Sequence, residues 1–85
     1  MEVVFTKQAV KDFKKIKENP VLAKKVTALL DLIEENPFTI PPSFEKLVGF
    51  ESTYSRRINV QHRLIYQVIL DKKVVKVIRM WTHYE

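Results

Sequence analysis

The sequence predicts an α+β domain: an N-terminal strand and a two-helix hairpin packed on one face of a four- to five-stranded, largely antiparallel twisted sheet. Three observations carry this. Apolar residues recur at helical spacing up to Asn36 and at strand-like spacing after Ser43. Between the two regimes lies Pro37-Phe38-Thr39-Ile40-Pro41-Pro42-Ser43, whose three prolines in seven residues forbid regular structure. The strand-like half is broken by short polar turns, which join antiparallel neighbours, and helices that precede such a sheet collect on one of its faces.

Val3, Val4 and Phe5 form a β-branched and aromatic run suited to a first strand. Thr6 then caps a helix starting at Lys7, because its hydroxyl can accept from an amide that the first turn leaves without a partner. Ala9, Val10, Phe13 and Ile16 make one face of that helix. Asn19-Pro20 ends it and starts the next, since Asn caps and Pro suits the first helical position. Leu22, Val26, Leu29, Leu30 and Ile33 stripe the second helix, which Asn36-Pro37 closes. So short a connection makes the pair a helical hairpin. Beyond the proline tract, Phe44–Val48 reads as a short strand before Gly49. Tyr54–Asn59, His62–Leu70 and Val74–Trp81 read as longer strands, with Asp71-Lys72-Lys73 the clearest turn. One domain is expected over residues 1–85, a length with no room for a second.

Composition narrows the chemistry. With 46% hydrophobic residues the chain can build a core. It has no cysteine, so disulfide scaffolds and thiolate sites are excluded, and with two histidines no metal or other cofactor is expected. No apolar run approaches the roughly 20 residues of a membrane span. Charge appears early, before Lys11, where a signal peptide would be apolar, so a cytoplasmic protein is expected.

The net charge of +5 is unevenly placed. Residues 1–42 carry a balance of +1 and residues 43–85 a balance of +4, and all four arginines lie between positions 56 and 79. Arginine offers a planar fork of donors that matches phosphate, whereas surface lysine is a solvated point charge. On the sheet face turned from the helices, Arg56 or Arg57 could project together with Arg63 and Arg79. An arginine-bearing open face in a basic domain suits RNA.

Glu45, Arg56, Arg57, His62, Arg63, His83 and Tyr84 form a set with a chemical use. RNA carries its own nucleophile, the 2′-hydroxyl beside each phosphate. Cleavage then needs a base for that proton, an acid for the departing 5′-oxygen and cations for the charge that builds on phosphorus. A Glu and a His, with ordinary pKa values near 4.3 and 6.5, can divide the proton transfers at neutral pH, and arginines supply the charge. If the hairpin turn pairs Arg57 with Arg63, the two share a face, since directly opposed residues do. A register shifted by one residue would part them. Two opposed arginines repel unless an anion bridges them.

The strings Tyr54-Ser55-Arg56-Arg57-Ile58 and His62-Arg63-Leu64-Ile65-Tyr66, with His83-Tyr84 near the end, resemble the YoeB/Txe toxins of the RelE/ParE superfamily. The likeness spans essentially the whole chain. It implies a type II toxin that enters the ribosomal A site and cleaves mRNA there without a metal, leaving a 2′,3′-cyclic phosphate and a 5′-hydroxyl. On that resemblance Glu45 is the general base, His83 the general acid, Arg63 the arginine at the scissile phosphate with Arg57 supporting it, and Tyr84 an orienting tyrosine. Arg56, Lys46, His62 and Arg79 are the expected RNA contacts. A lysine that the family places shortly after the glutamate falls near Val48, leaving Lys46 in that neighbourhood. The implied partners are the ribosome with its mRNA, a cognate acidic antitoxin of YefM/Axe type, and a second copy in a homodimer, with no membrane. The competing reading is the same fold kept as a non-catalytic RNA- or antitoxin-binding module. A gyrase-directed, ParE-like branch has no use for Glu45, Arg63, His83 and Tyr84 together.

Overall fold

The chain begins in a strand, β1 (Glu2–Phe5), and turns at Thr6 into a helix, α1 (Lys7–Ile16). Thr6 does what its position predicts and more: its hydroxyl accepts from the Ala9 amide at 3.0 Å and donates to the Ile78 carbonyl at 2.8 Å. The structure is a computed structural model and describes residues 1–81. Asn19 caps the second helix, α2 (Pro20–Glu35), accepting from the amides of Val21 and Leu22 at 3.1 and 3.2 Å. Asn36 ends it, and its side chain accepts from the Phe38 amide at 2.9 Å, which bends the chain into the proline loop. Among the described residues no helix is long and apolar enough to cross a membrane.

Four further strands follow: β2 (Glu45–Lys46), β3 (Thr53–Arg57), β4 (Arg63–Ile69) and β5 (Val74–Arg79). The sheet order is β1-β5-β4-β3-β2, with β1 parallel to β5 and the other pairs antiparallel. The expected strand over Phe44–Val48 shrinks to two residues. Phe44 instead joins an aromatic cluster with Phe38 and Tyr54, ring centroids 5.3 to 5.9 Å apart. Past Lys46 the chain turns through left-handed backbone at Gly49 (φ +85°) and Ser52 (φ +50°), which ends the pairing. β3 stops at Arg57 rather than Asn59 because the Asn59 side chain takes the amides of Gln61 and His62, at 2.9 and 2.7 Å, to build the turn. β5 stops at Arg79 rather than Trp81 because the Met80 and Trp81 amides bond to Asp12 instead of the sheet.

Alternation sorts the sheet into two faces. Leu64, Tyr66 and Val68 of β4 and Val75 and Val77 of β5 are buried against Ala9, Ile16, Leu22, Val26 and Ile33 of the helices. Each such side chain contributes about 1.5–3 kcal/mol by leaving water. The helices cover this face alone, and the opposite one is left to carry chemistry.

Candidate functional site

Glu45 of β2 is opposed to Ser55 of β3, and Arg57 of β3 to Arg63 of β4. Ser55 and Arg57 are two residues apart on one strand, so all four side chains belong to the face turned from the helices. With Pro42 and Ser43 of the proline loop they line a cleft of about 320 Å³. Within it Arg63 Nη1 lies 3.9 Å from Glu45 Oε1 and donates to Ser55 Oγ at 3.5 Å. The Glu45 side chain is 73% exposed and that of Arg63 24%. One accessible carboxylate thus faces a wall of two guanidinium groups. The cleft carries net positive charge and forked donors, the environment a phosphate seeks. Lys46 is exposed, but it is opposed to Tyr54 and belongs to the other side of the two-residue strand from Glu45.

Arg56 corrects an expectation. One residue from Arg57, it points the other way and is fully buried, out of reach of RNA. Its Nε donates to the Tyr66 hydroxyl and its Nη2 to the carbonyls of Pro37 and Thr39, each at 2.9 Å; Nη1 donates to the Pro42 carbonyl. The guanidinium carbon also lies 4.9 Å from the centre of the Phe44 ring. Tyr66 in turn donates to Pro37 at 2.9 Å, and burial pushes its hydroxyl pKa up despite the Arg56 charge beside it. Arg56 therefore binds the proline loop to the sheet, and that loop supplies Pro42 and Ser43 to the cleft.

His62 is also corrected. The expected RNA contact is buried, its ring stacked on Trp81 with centroids 3.9 Å apart. Arg79 is drawn toward α1, where its Nε lies 3.5 Å from Asp12 Oδ2. His83 and Tyr84 lie outside the described residues.

Sequence reasoning missed Asp12. It is buried on α1, accepting from the Gln8 side chain at 2.9 Å and from the Met80 and Trp81 amides at 3.0 and 3.2 Å. Burial alone would raise its pKa. The bonds from Met80, Gln8 and Trp81, with the Arg79 charge, outweigh that and hold it below the ordinary carboxylate range. The signal was present: Asp12 sits among Ala9, Phe13 and Ile16 on the apolar stripe, where a free carboxylate has no place. Among the described residues no three His, Cys, Asp or Glu side chains converge as a metal ion would need.

Comparison with known proteins matches residues 5–84 to a family described as the YoeB-like toxin of bacterial type II toxin–antitoxin systems. Among solved structures, a YoeB/ParE toxin from Agrobacterium tumefaciens is 27% identical with a TM-score of 0.88, over 99% of this chain and 100% of that one. A chain of the YoeB–YefM complex from Staphylococcus aureus is 33% identical with a TM-score of 0.81, over 99% and 98% of the two chains. The YoeB dimer from the same organism is 33% identical with a TM-score of 0.83 over the same shares. No curated protein matched in a search by sequence.

Proposed function

This chain belongs to the YoeB-like toxin family of bacterial type II toxin–antitoxin systems, and from that premise we propose that it is a ribosome-dependent endoribonuclease, cleaving mRNA in the A site. The observation that carries the reading is the cleft itself. Arg57 and Arg63 are directly opposed, and Glu45 lies 3.9 Å from Arg63. A phosphodiester seated between the arginines would bring its 2′-hydroxyl beside a carboxylate open to solvent.

In this scheme Glu45 takes the 2′-hydroxyl proton and the freed oxygen attacks the adjacent phosphorus. Arg63 and Arg57 hold the non-bridging oxygens as negative charge accumulates there. The bond to the 5′-oxygen breaks as His83 gives that oxygen a proton, with Tyr84 orienting the substrate. The products are a 2′,3′-cyclic phosphate and a 5′-hydroxyl. The RNA brings the nucleophile and side chains move both protons, so no step calls for a metal. Lys46, Arg79 and the helix lysines add affinity for ribosomal RNA without reading bases.

The same basic cleft suits an acidic antitoxin segment that folds over it, as a partner of the YefM kind would. The S. aureus YoeB dimer supports a homodimer as a second assembly. Such a toxin acts in the cytoplasm, where ribosomes translate.

The test is primer extension on an mRNA translated by purified ribosomes, with wild type beside His83→Ala and Arg63→Ala. Cleavage inside A-site codons by the wild type alone is the expected result. No cleavage by folded wild type would leave a binding module, and equal cleavage by the variants would sink the residue roles.

A further inference from the structure

Asp12 is 1% exposed on the apolar face of α1. A buried carboxylate left unpaired is strongly disfavoured, so what it binds shows what it is for. Its Oδ2 accepts from two successive amides, Met80 at 3.0 Å and Trp81 at 3.2 Å, and lies 3.5 Å from Arg79 Nε. Three consecutive residues at the end of β5 thus converge on one oxygen of a helix far away in the sequence. Beyond them the hold continues. Met80 is fully buried, the Trp81 ring is stacked on His62, and the Lys15 ammonium lies 5.8 Å from that ring's centre. Here the last strand is bent out of the ladder and fastened just before the His83-Tyr84 pair in the sequence.

We infer that Asp12 is a positioning residue: its carboxylate fixes where the chain leaves the sheet at Met80 and Trp81, two residues before His83 in the sequence, and mRNA cleavage depends on that hold. This rests on the ribonuclease reading, in which His83 is the acid. Asp12 touches no substrate. It acts through Met80 and Trp81, and displacing a catalytic group by about 1 Å can cost 10²-fold in rate.

Trp81 is the sole tryptophan of the chain, so its fluorescence reports the anchor directly. The experiment compares wild type, Asp12→Asn, His83→Ala, the double variant and a surface control, Glu18→Gln. It reads acrylamide quenching of Trp81, hydrogen exchange of the Met80 and Trp81 amides, ribosome affinity and single-turnover mRNA cleavage. In wild type the two amides are expected to be protected and Trp81 shielded. In Asp12→Asn, whose neutral oxygen accepts more weakly and no longer attracts Arg79, protection and shielding are both reduced and ribosome affinity is kept, while cleavage falls roughly 10- to 100-fold. Adding Asp12→Asn to His83→Ala should cost nothing further, since both act at one group. Asp12→Glu, which keeps the charge but shifts it by a methylene, reads the same quantities if Asp12→Asn does not fold.

Unprotected amides in wild type would overturn the inference. So would a released Trp81 with undiminished cleavage, or an equal further loss on His83→Ala, which marks a general destabilisation. A wild type that does not cleave mRNA overturns the ribonuclease reading, and with it the role of Asp12 in cleavage, whatever the exchange data show for the anchor.

Discussion

Arg57 and Arg63 stand directly opposite each other across the β3–β4 ladder. Side chains so placed start about 5 Å apart, and like charges there destabilise a sheet. The repulsion is a cost that a bound anion removes. Arg57→Ala should therefore leave the free protein as stable as wild type or up to about 1 kcal/mol more stable in urea. Added phosphate should raise the melting temperature of wild type more than that of the variant. Equal shifts would show that the pair does not form an anion site.

Arg56→Met should destabilise the protein by about 3 kcal/mol or more, because buried acceptors lose charged donors that no side chain replaces. The carbonyls of Pro37, Thr39 and Pro42 are those acceptors. Arg56→Lys keeps the charge but not the fork and should recover only part of the loss. Urea midpoints measure both, and an unmoved midpoint in Arg56→Met would refute the loop clamp.

Glu45 is the reverse case. Its side chain is 73% exposed and its ion pair with Arg63 is long, at 3.9 Å. Glu45→Gln should change stability by no more than about 0.5 kcal/mol. As the proposed base it should nonetheless cost about 10²–10⁴ in cleavage rate. Denaturation and single-turnover cleavage on one preparation test the split.

Asp12 sets an acid limit. Burial works against its ionisation, but the bonds from Met80, Gln8 and Trp81 and the charge of Arg79 lower its pKa in the fold. A depressed folded pKa contributes stability in full above the unfolded value, about 3.9 for Asp, and loses it as the pH falls through the folded value. The stability difference between wild type and Asp12→Asn should thus be widest near neutral pH and shrink below about pH 4. Urea titrations at both ends check this, and a constant difference would contradict it.

Thr6→Ala should cost about 1 kcal/mol for the lost cap, and somewhat more for the second bond to Ile78. Thr6→Ser should restore most of it. Thermal melts of the three proteins decide.

The helices were legible because their signals are local: Thr6, Asn19-Pro20 and Asn36 cap in place, and the apolar stripes face the sheet except at Val10, which is exposed. The pairing of Arg57 with Arg63 was legible only as one of two registers. The turn that selects it depends on the Asn59 side chain replacing backbone bonds. Arg56 and His62 were misplaced for a physical reason. Strand alternation puts neighbouring residues on opposite faces, so one position separates an arginine at the cleft from one in the core. Nor does a sequence announce that three loop carbonyls will satisfy a buried guanidinium. Asp12 was overlooked because its partners are backbone amides, which every residue but proline carries.

The bonds that tie Thr6 to Ile78 and Asp12 to Met80 and Trp81 span 72, 68 and 69 residues. A ribosome making this chain finishes both helices, and then Glu45, Arg57 and Arg63, before β5 exists. Until that strand emerges, α1 presents a carboxylate on an apolar face with nothing to bond, and β1 lacks its sheet neighbour. Pairings so distant along the chain form late in folding. Order of synthesis thus makes β5 the last strand of this sheet to appear, and the cleft gains its rigid backing only once that strand has emerged.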